Sequence, residues 1–211
     1  MGAYLEFWSE HAEKFLDPLA EHLQIVGVTL LISVVLAAVI SVALLRHPRA
    51  KGVVLQLLSA VYAIPSLALF AVLIPITGLG EGTAVLVLVA YNQYLLVRNI
   101  VTGIDGVDPS IVEAARGMGM SDARILREVQ VPLALPLIMA GLRLAVISTI
   151  GIATIAATIN AGGLGTVLFD GLRTLNSYKI VGGTLECALL AIVANAALRL
   201  LESAVTRRVV R

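Results

Sequence analysis

The stretch DGVDPSIVEAARGMGMSDARILREVQVP, residues 105–132, decides how this chain is read. It is dense in charge, with Asp105, Asp108, Glu113, Arg116, Asp122, Arg124, Arg127 and Glu128. Side chains of this kind are costly in hydrocarbon. Yet the residues on either side are apolar, and a helix crosses the ~30 Å hydrocarbon core with roughly 20 of them. A polar island between two such segments must stand at a membrane surface.

Working outward, residues 23–45 form a charge-free first span, and 52–76 a second, interrupted by Pro65 and Pro75. A third runs from 82 to Arg98 or Ile100, a fourth over 136–159, and a fifth over 180–201 with Glu186 its only acid. Composition agrees: 59% of residues are hydrophobic and 14% charged, with a mean hydropathy of +0.96. Soluble domains carry about 25% charged residues. The expected fold is all-α, a polytopic membrane protein with about five transmembrane helices. Its divisions are an outer amphipathic segment at 1–22, a transmembrane unit at 23–203 holding the island, and a basic tail at 204–211.

Loop charge orients these spans. Arg46, Arg49 and Lys51, the island arginines, and Arg207, Arg208 and Arg211 all fall on one side of a five-span arrangement. The other side has only Lys14, Arg173 and Lys179. Lys and Arg accumulate on the cytoplasmic side. The expectation is a plasma-membrane protein with island and C-terminus inside and N-terminus outside. Residues 4–22 place Leu5, Trp8, Ala12, Phe15 and Leu19 at helical spacing, as an interfacial anchor would. The first residues are acidic, unlike the basic start of a cleaved signal peptide.

Several classes are excluded. Basic residues are not pooled into a patch, so no nucleic-acid partner is expected. The single Cys187 forms no internal disulfide and supports no cysteine-rich metal site. No G-x-x-x-x-G-K stretch occurs to cradle nucleotide phosphates. Neither catalytic residues, metal ligands nor a cofactor are expected in this chain.

The island itself reads as two short helices. Asp108 precedes Pro109, which suits an N-cap and a first helical residue, and Ser110 with Glu113 has capping-box spacing. Gly117 and Gly119 around Met118 break that helix, and either could take a left-handed conformation. Ser121 opens a second helix, which Pro132 and Pro136 should end. Ala114 and Ala115 would let a partner approach the backbone. Glu113 offers it a carboxylate, and Met118 and Met120 adaptable apolar surface. A plain cytoplasmic hairpin would have the same local structure.

The order Glu113-Ala114-Ala115, then Gly119, then Val129, Val131 and Pro132, resembles the EAA loop of binding-protein-dependent ABC importer permeases. Valine stands at 129 and 131 where that family more often has isoleucine and leucine, and the apolar character is kept. IPSLALF (64–70), PLALPLIMAGLR (132–143) and AGGLG (161–165) look like the osmoprotectant branch, which imports glycine betaine, choline, carnitine and similar compounds. The resemblance implies a transport subunit without chemistry of its own. A separate ATPase subunit would grip Glu113, Ala114, Ala115, Gly117, Met118 and Gly119. A second permease subunit, identical or related, would complete the pathway in the bilayer, and an extracytoplasmic solute-binding protein would deliver cargo. Alternatives are an amino-acid-type ABC permease and a proton-coupled secondary transporter; for the latter, Glu186 is the residue of interest.

Polar residues inside the spans are the candidates for the cargo pathway. Tyr91, Asn92 and Gln93, with Tyr94, sit near mid-depth of the third span, and the two amides must face partners or water. A pathway wall and interhelical hydrogen bonding fit them equally. Thr158 and Asn160, with Thr154, precede the AGGLG turn; the resemblance implies that this region approaches an outer gate, and close helix packing is the alternative reading. Arg143 is expected to snorkel to the inner interface.

Overall fold

The structure is a computed structural model, and it describes residues 13–209. Residues 1–12 and 210–211, including residues 4–12 of the amphipathic 4–22 segment and Arg211, lie outside the described residues. The elements are α1 (Glu13–Arg46), α2 (Pro48–Ala63), α3 (Ser66–Thr77), α4 (Glu81–Asp105), α5 (Pro109–Gly117), α6 (Asp122–Ile125), a π-helical turn (Leu126–Gln130), α7 (Val131–Ala156), a 3-10 turn (Ala157–Ile159), α8 (Gly165–Arg173) and α9 (Ser177–Val209). No strand occurs among the described residues.

The second span departs from a straight crossing. Proline disfavours helical backbone at the residue before it. Ile64 (φ −69°, ψ 131°) and Pro65 (φ −56°, ψ 133°) are accordingly extended, and α2 and α3 meet at 95°. Pro75, by contrast, sits within α3. The bent pair still runs the full depth of the bundle. Lys51 at the start of α2 pairs with Asp105 at the end of α4 at 2.7 Å. Gly80, just past α3, donates its N–H to the carbonyl of Ile159 at 2.8 Å. Those contacts lie at opposite ends of α4, so the broken pair counts as one crossing. With α1, α4, α7 and α9 it makes five, the upper of the two counts that length and apolarity allow.

α1 has 34 residues, roughly 51 Å at 1.5 Å per residue, and outruns a ~30 Å core. Residues 13–22 are thus one continuous helix with the first span. The extra length lets Glu21 reach the glycine loop, where its carboxylate accepts the Gly163 N–H at 2.9 Å.

At the centre α4 packs against α1 and α7, with α9 on the far side of α7. Small residues bring α4 and α7 together. A Cβ on Gly141 would meet Asn99 Cβ at 2.5 Å, and one on Gly103 would meet Ala134 Cβ at 3.2 Å. Without a hydrophobic driving force between helices in lipid, close approach of this kind favours association. α1 turns a stripe of small polar residues inward, Thr29, Ser33 and Ser41, with Ala37 among them.

Pro132 and Pro136 do not end the second island helix, contrary to the sequence expectation. Helical structure runs unbroken from Asp122 to Ile159. The reason lies in the π-helical turn, where Val131 donates to Leu126, five residues back. The wider turn re-registers the ladder just before Pro132, which lacks an N–H and falls in the first turn of α7. Pro136 follows one turn later, inside α7.

Candidate functional site

The island folds as a capped helical hairpin. Asp108 is the N-cap of α5, accepting the Ser110 N–H at 2.8 Å, with Pro109 behind it. The cap is therefore Asp108, and Ser110 with Glu113 does not form the capping box that their spacing suggested. Bonds from Ser110 hold the Asp108 carboxyl below the usual carboxylate range. At the other end Gly119 (φ +83°) is left-handed, and Gly119 and Met120 donate N–H groups to Arg116 and Ala115 carbonyls at 2.9 and 3.2 Å. This is a Schellman closure, which glycine favours. Gly117 stays helical, so Gly119 is the residue that turns the chain.

The alanines face opposite ways. Ala115 is 2% exposed and belongs to the hairpin's own interior, as does Ile125. Ala114, Glu113 and Gly117 are exposed, and Met118 is 76% exposed. Ala115 is thus covered by this chain itself, whereas Ala114 stays open to a partner. A Cβ on Gly117 would meet nothing within 4 Å. Its own chain gives no reason for glycine there.

The mid-depth polar residues separate into two groups. Asn92 and Gln93 are 1% and 4% exposed. Asn92 Nδ2 donates to Ser33 Oγ at 3.2 Å and to Thr149 Oγ1 at 2.9 Å, and Thr149 Oγ1 returns a bond to Asn92 Oδ1 at 3.2 Å. Gln93 Nε2 donates to the carbonyls of Val89 and Ser33 at 3.1 and 3.4 Å. These amides tie α1, α4 and α7 together. Tyr91, on another side of α4, sends its hydroxyl to the Ile64 carbonyl at the α2–α3 break. Its ring lies 5.7 Å from that of Tyr62, edge-on at 70°. Tyr62 in turn lies 5.0 Å from Tyr94, tilted 31°. Arg98 donates to the Tyr94 hydroxyl, and its guanidinium carbon is 5.5 Å from the Tyr94 ring centre.

At the opposite end from the island, Asn160 is left-handed (φ 65°) and lines an open cavity of about 670 Å³ with Asp17, Glu21, Gln24 and Glu81. Thr158 is exposed and bonds the Ile155 carbonyl at 2.8 Å. The sequence candidates are therefore not gathered in one place: Tyr91, Asn92 and Gln93 lie at mid-depth, Thr158 and Asn160 at the rim. Glycine at 165 is dictated by space, since a Cβ there would overlap the Thr154 carbonyl. Asp170 binds Lys179 Nζ at 2.5 Å and Arg173 at 2.8 Å, and both bonds, Lys179 first, hold its carboxyl below the usual range. Arg143 pairs with Glu202 at 3.1 Å, joining α7 to α9, so it has a protein partner in addition to any interface. Glu186 is half-buried, with Oε2 making no hydrogen bond among the described residues.

Residues 27–211 match the family described as "Binding-protein-dependent transport system inner membrane component". The chain belongs to that family. It is 35% identical over 206 residues to the "Glycine betaine/carnitine/choline transport system permease protein OpuCB" of Bacillus subtilis (strain 168), covering 98% of this chain and 95% of the relative. It is 36% identical over 196 residues to the "Osmoprotectant import permease protein OsmW" of Salmonella typhimurium, covering 90% and 91%. Among solved structures, a chain of the MetNI methionine ABC transporter in inward-facing form superposes with a TM-score of 0.83 at 20% identity, covering 91% of this chain and 96% of that one. At that identity the superposition speaks to fold alone.

The sequence reading missed Tyr62 and Arg98 as parts of the aromatic cluster around Tyr91 and Tyr94. Tyr62 precedes Tyr91 by a whole span, and no local pattern links them. Arg98 was legible only as the end of an apolar run.

Proposed function

We propose that this chain is the permease subunit of an ABC importer for a small osmoprotectant such as glycine betaine, choline or carnitine, driven by a separate ATPase subunit. The observation that carries the reading is the island hairpin. Its first helix, α5, is fixed by a side-chain cap at one end and a left-handed glycine at the other, and packs against α6 and the π-helical turn. It presents Glu113, Ala114, Gly117 and Met118 outward. A rigid surface knob of this kind suits transmission of force from a partner.

In this reading the island end is cytoplasmic, in keeping with Arg46, Arg49, Lys51 and the island arginines, and the glycine-loop end faces outward, where a solute-binding protein docks. A second permease copy, the same or related, completes the pathway. ATP-driven closure of the ATPase pair shifts the two permeases between inward-open and outward-open states, which requires contacts that differ between the states. The cargo assignment follows the names of the relatives.

The test combines association and uptake. Glu113→Ala and Met118→Ala should weaken retention of the ATPase subunit on the purified permease, and labelled glycine betaine or choline uptake should fall with it. Full uptake by the permease without any ATPase would refute the proposal.

A further inference from the structure

One side of α4 is polar and aromatic where a lipid-facing surface would be apolar. α4 has 25 residues, and Arg98 lies seven before its end at Asp105, about 10 Å along the helix from it. Side chains on a helix lean toward its N-terminus, which from Arg98 is the deeper direction. A lipid-facing arginine near an interface turns the other way, to the headgroups. Arg98 is exposed and turns inward, its guanidinium bonded to the Tyr94 hydroxyl and close over the Tyr94 ring. It forms no ion pair among the described residues. One hydroxyl bond leaves most of the guanidinium's donors open, and at the inner end of a span they need water or a polar visitor beside them.

The rings next to it are fixed in place. Tyr91 is anchored on the Ile64 carbonyl, Tyr62 abuts Tyr91, and Tyr94 lies against Tyr62. Tyr62 and Tyr94 remain partly exposed, whereas Tyr91 is 3% exposed and supports them from behind. The packing of α2 against α4 brings the rings of two spans together.

Resting on the proposed importer function, we propose that Tyr62, Tyr94 and Arg98 form a contact station on the cargo path for zwitterionic quaternary amines, with Arg98 the specificity-determining residue. Tyrosine faces attract an onium group by cation–π interaction. A guanidinium binds a carboxylate through paired charge-assisted hydrogen bonds. An onium alone is repelled by the neighbouring guanidinium, and a carboxylate on the same molecule offsets that repulsion. Glycine betaine and carnitine carry that carboxylate, and choline carries an alcohol instead. The station therefore favours carboxylate-bearing cargo over choline.

The experiment measures uptake of labelled glycine betaine and labelled choline by membranes holding the whole transporter: this chain, its ATPase, its companion permease copy and its binding protein. Arg98→Gln is expected to lower the betaine-to-choline uptake ratio about tenfold, the size of one lost charge-assisted bond. Arg98→Lys, which keeps the charge but cannot make the paired bonds, should fall between the wild type and Arg98→Gln. Tyr62→Ala should lower uptake of both cargoes together. An unchanged ratio in Arg98→Gln, or an equal fall in both cargoes, overturns the inference, the second because it marks a structural role. A wild-type transporter that carries choline but not betaine also overturns it. Uptake of neither cargo by the wild type would instead refute the cargo assignment of the proposed function.

Discussion

Replacing Gly117 by alanine separates what this chain needs from what its partner needs. A methyl at 117 meets no atom within 4 Å and the backbone there is helical, so the chain tolerates it. Alanine loses less backbone entropy than glycine in a helix, which should stabilise α5 by about 0.5–1 kcal/mol. Hydrogen exchange of the α5 amides should accordingly slow about twofold to fivefold. If the ATPase packs against this surface, the same methyl overfills a close contact at a cost of about 1–3 kcal/mol. Affinity for the ATPase should then fall roughly five- to 150-fold. Gly119→Ala is the control, because at φ +83° an L-residue is strained by about 1–2 kcal/mol, and α5 exchange should speed up instead. The assays are hydrogen exchange on the detergent-solubilised permease and a titration of ATPase binding to it. Should Gly117→Ala bind the ATPase as well as the wild type does while its exchange slows, the proposed docking face is wrong.

Three further outcomes are expected. Asn92→Ala removes the bonds to Ser33 and Thr149; at about 0.6 kcal/mol per interhelical bond it should destabilise the bundle by roughly 2 kcal/mol in a mixed-micelle unfolding assay. Ser33→Ala, which loses one of those bonds, should cost about a third as much. Asp170 is held below its ordinary value by Lys179 and Arg173, so its contribution is complete above the ordinary carboxylate value of about 4 and is lost as pH falls through the lowered folded value. Amide exchange at the α8–α9 turn should therefore rise on acidification below about pH 4 relative to neighbouring turns, and Asp170→Asn should abolish that difference. Finally, an impermeant maleimide on intact cells should label Leu175→Cys, 88% exposed at the glycine-loop end, and leave Met118→Cys untouched; the reverse pattern would invert the orientation proposed above.

The site was only half legible from sequence. Asp108, Pro109 and Gly119 announced the hairpin correctly because capping and left-handed turns act within a few residues. The direction of Ala115 was not legible, since it depends on how α5 folds back over α6. The fate of Asn92 and Gln93 was likewise open, because a polar residue in a span suits a neighbouring hydroxyl as well as a water path.

Sequence alone determined the apolar spans, the polar island and the family resemblance, each a property of hydropathy or motif along the chain. The tertiary structure decided that Pro65 bends a crossing by 95° while Pro132 and Pro136 are absorbed behind a π-helical turn. It also decided that Tyr62 meets Tyr94, and that Ser33 and Thr149 take up Asn92. The physical reason is that burial in a bilayer depends on length and polarity, which are local. The rotation of each helix about its axis depends on which small and polar residues meet across helices, and that is settled only when the spans pack.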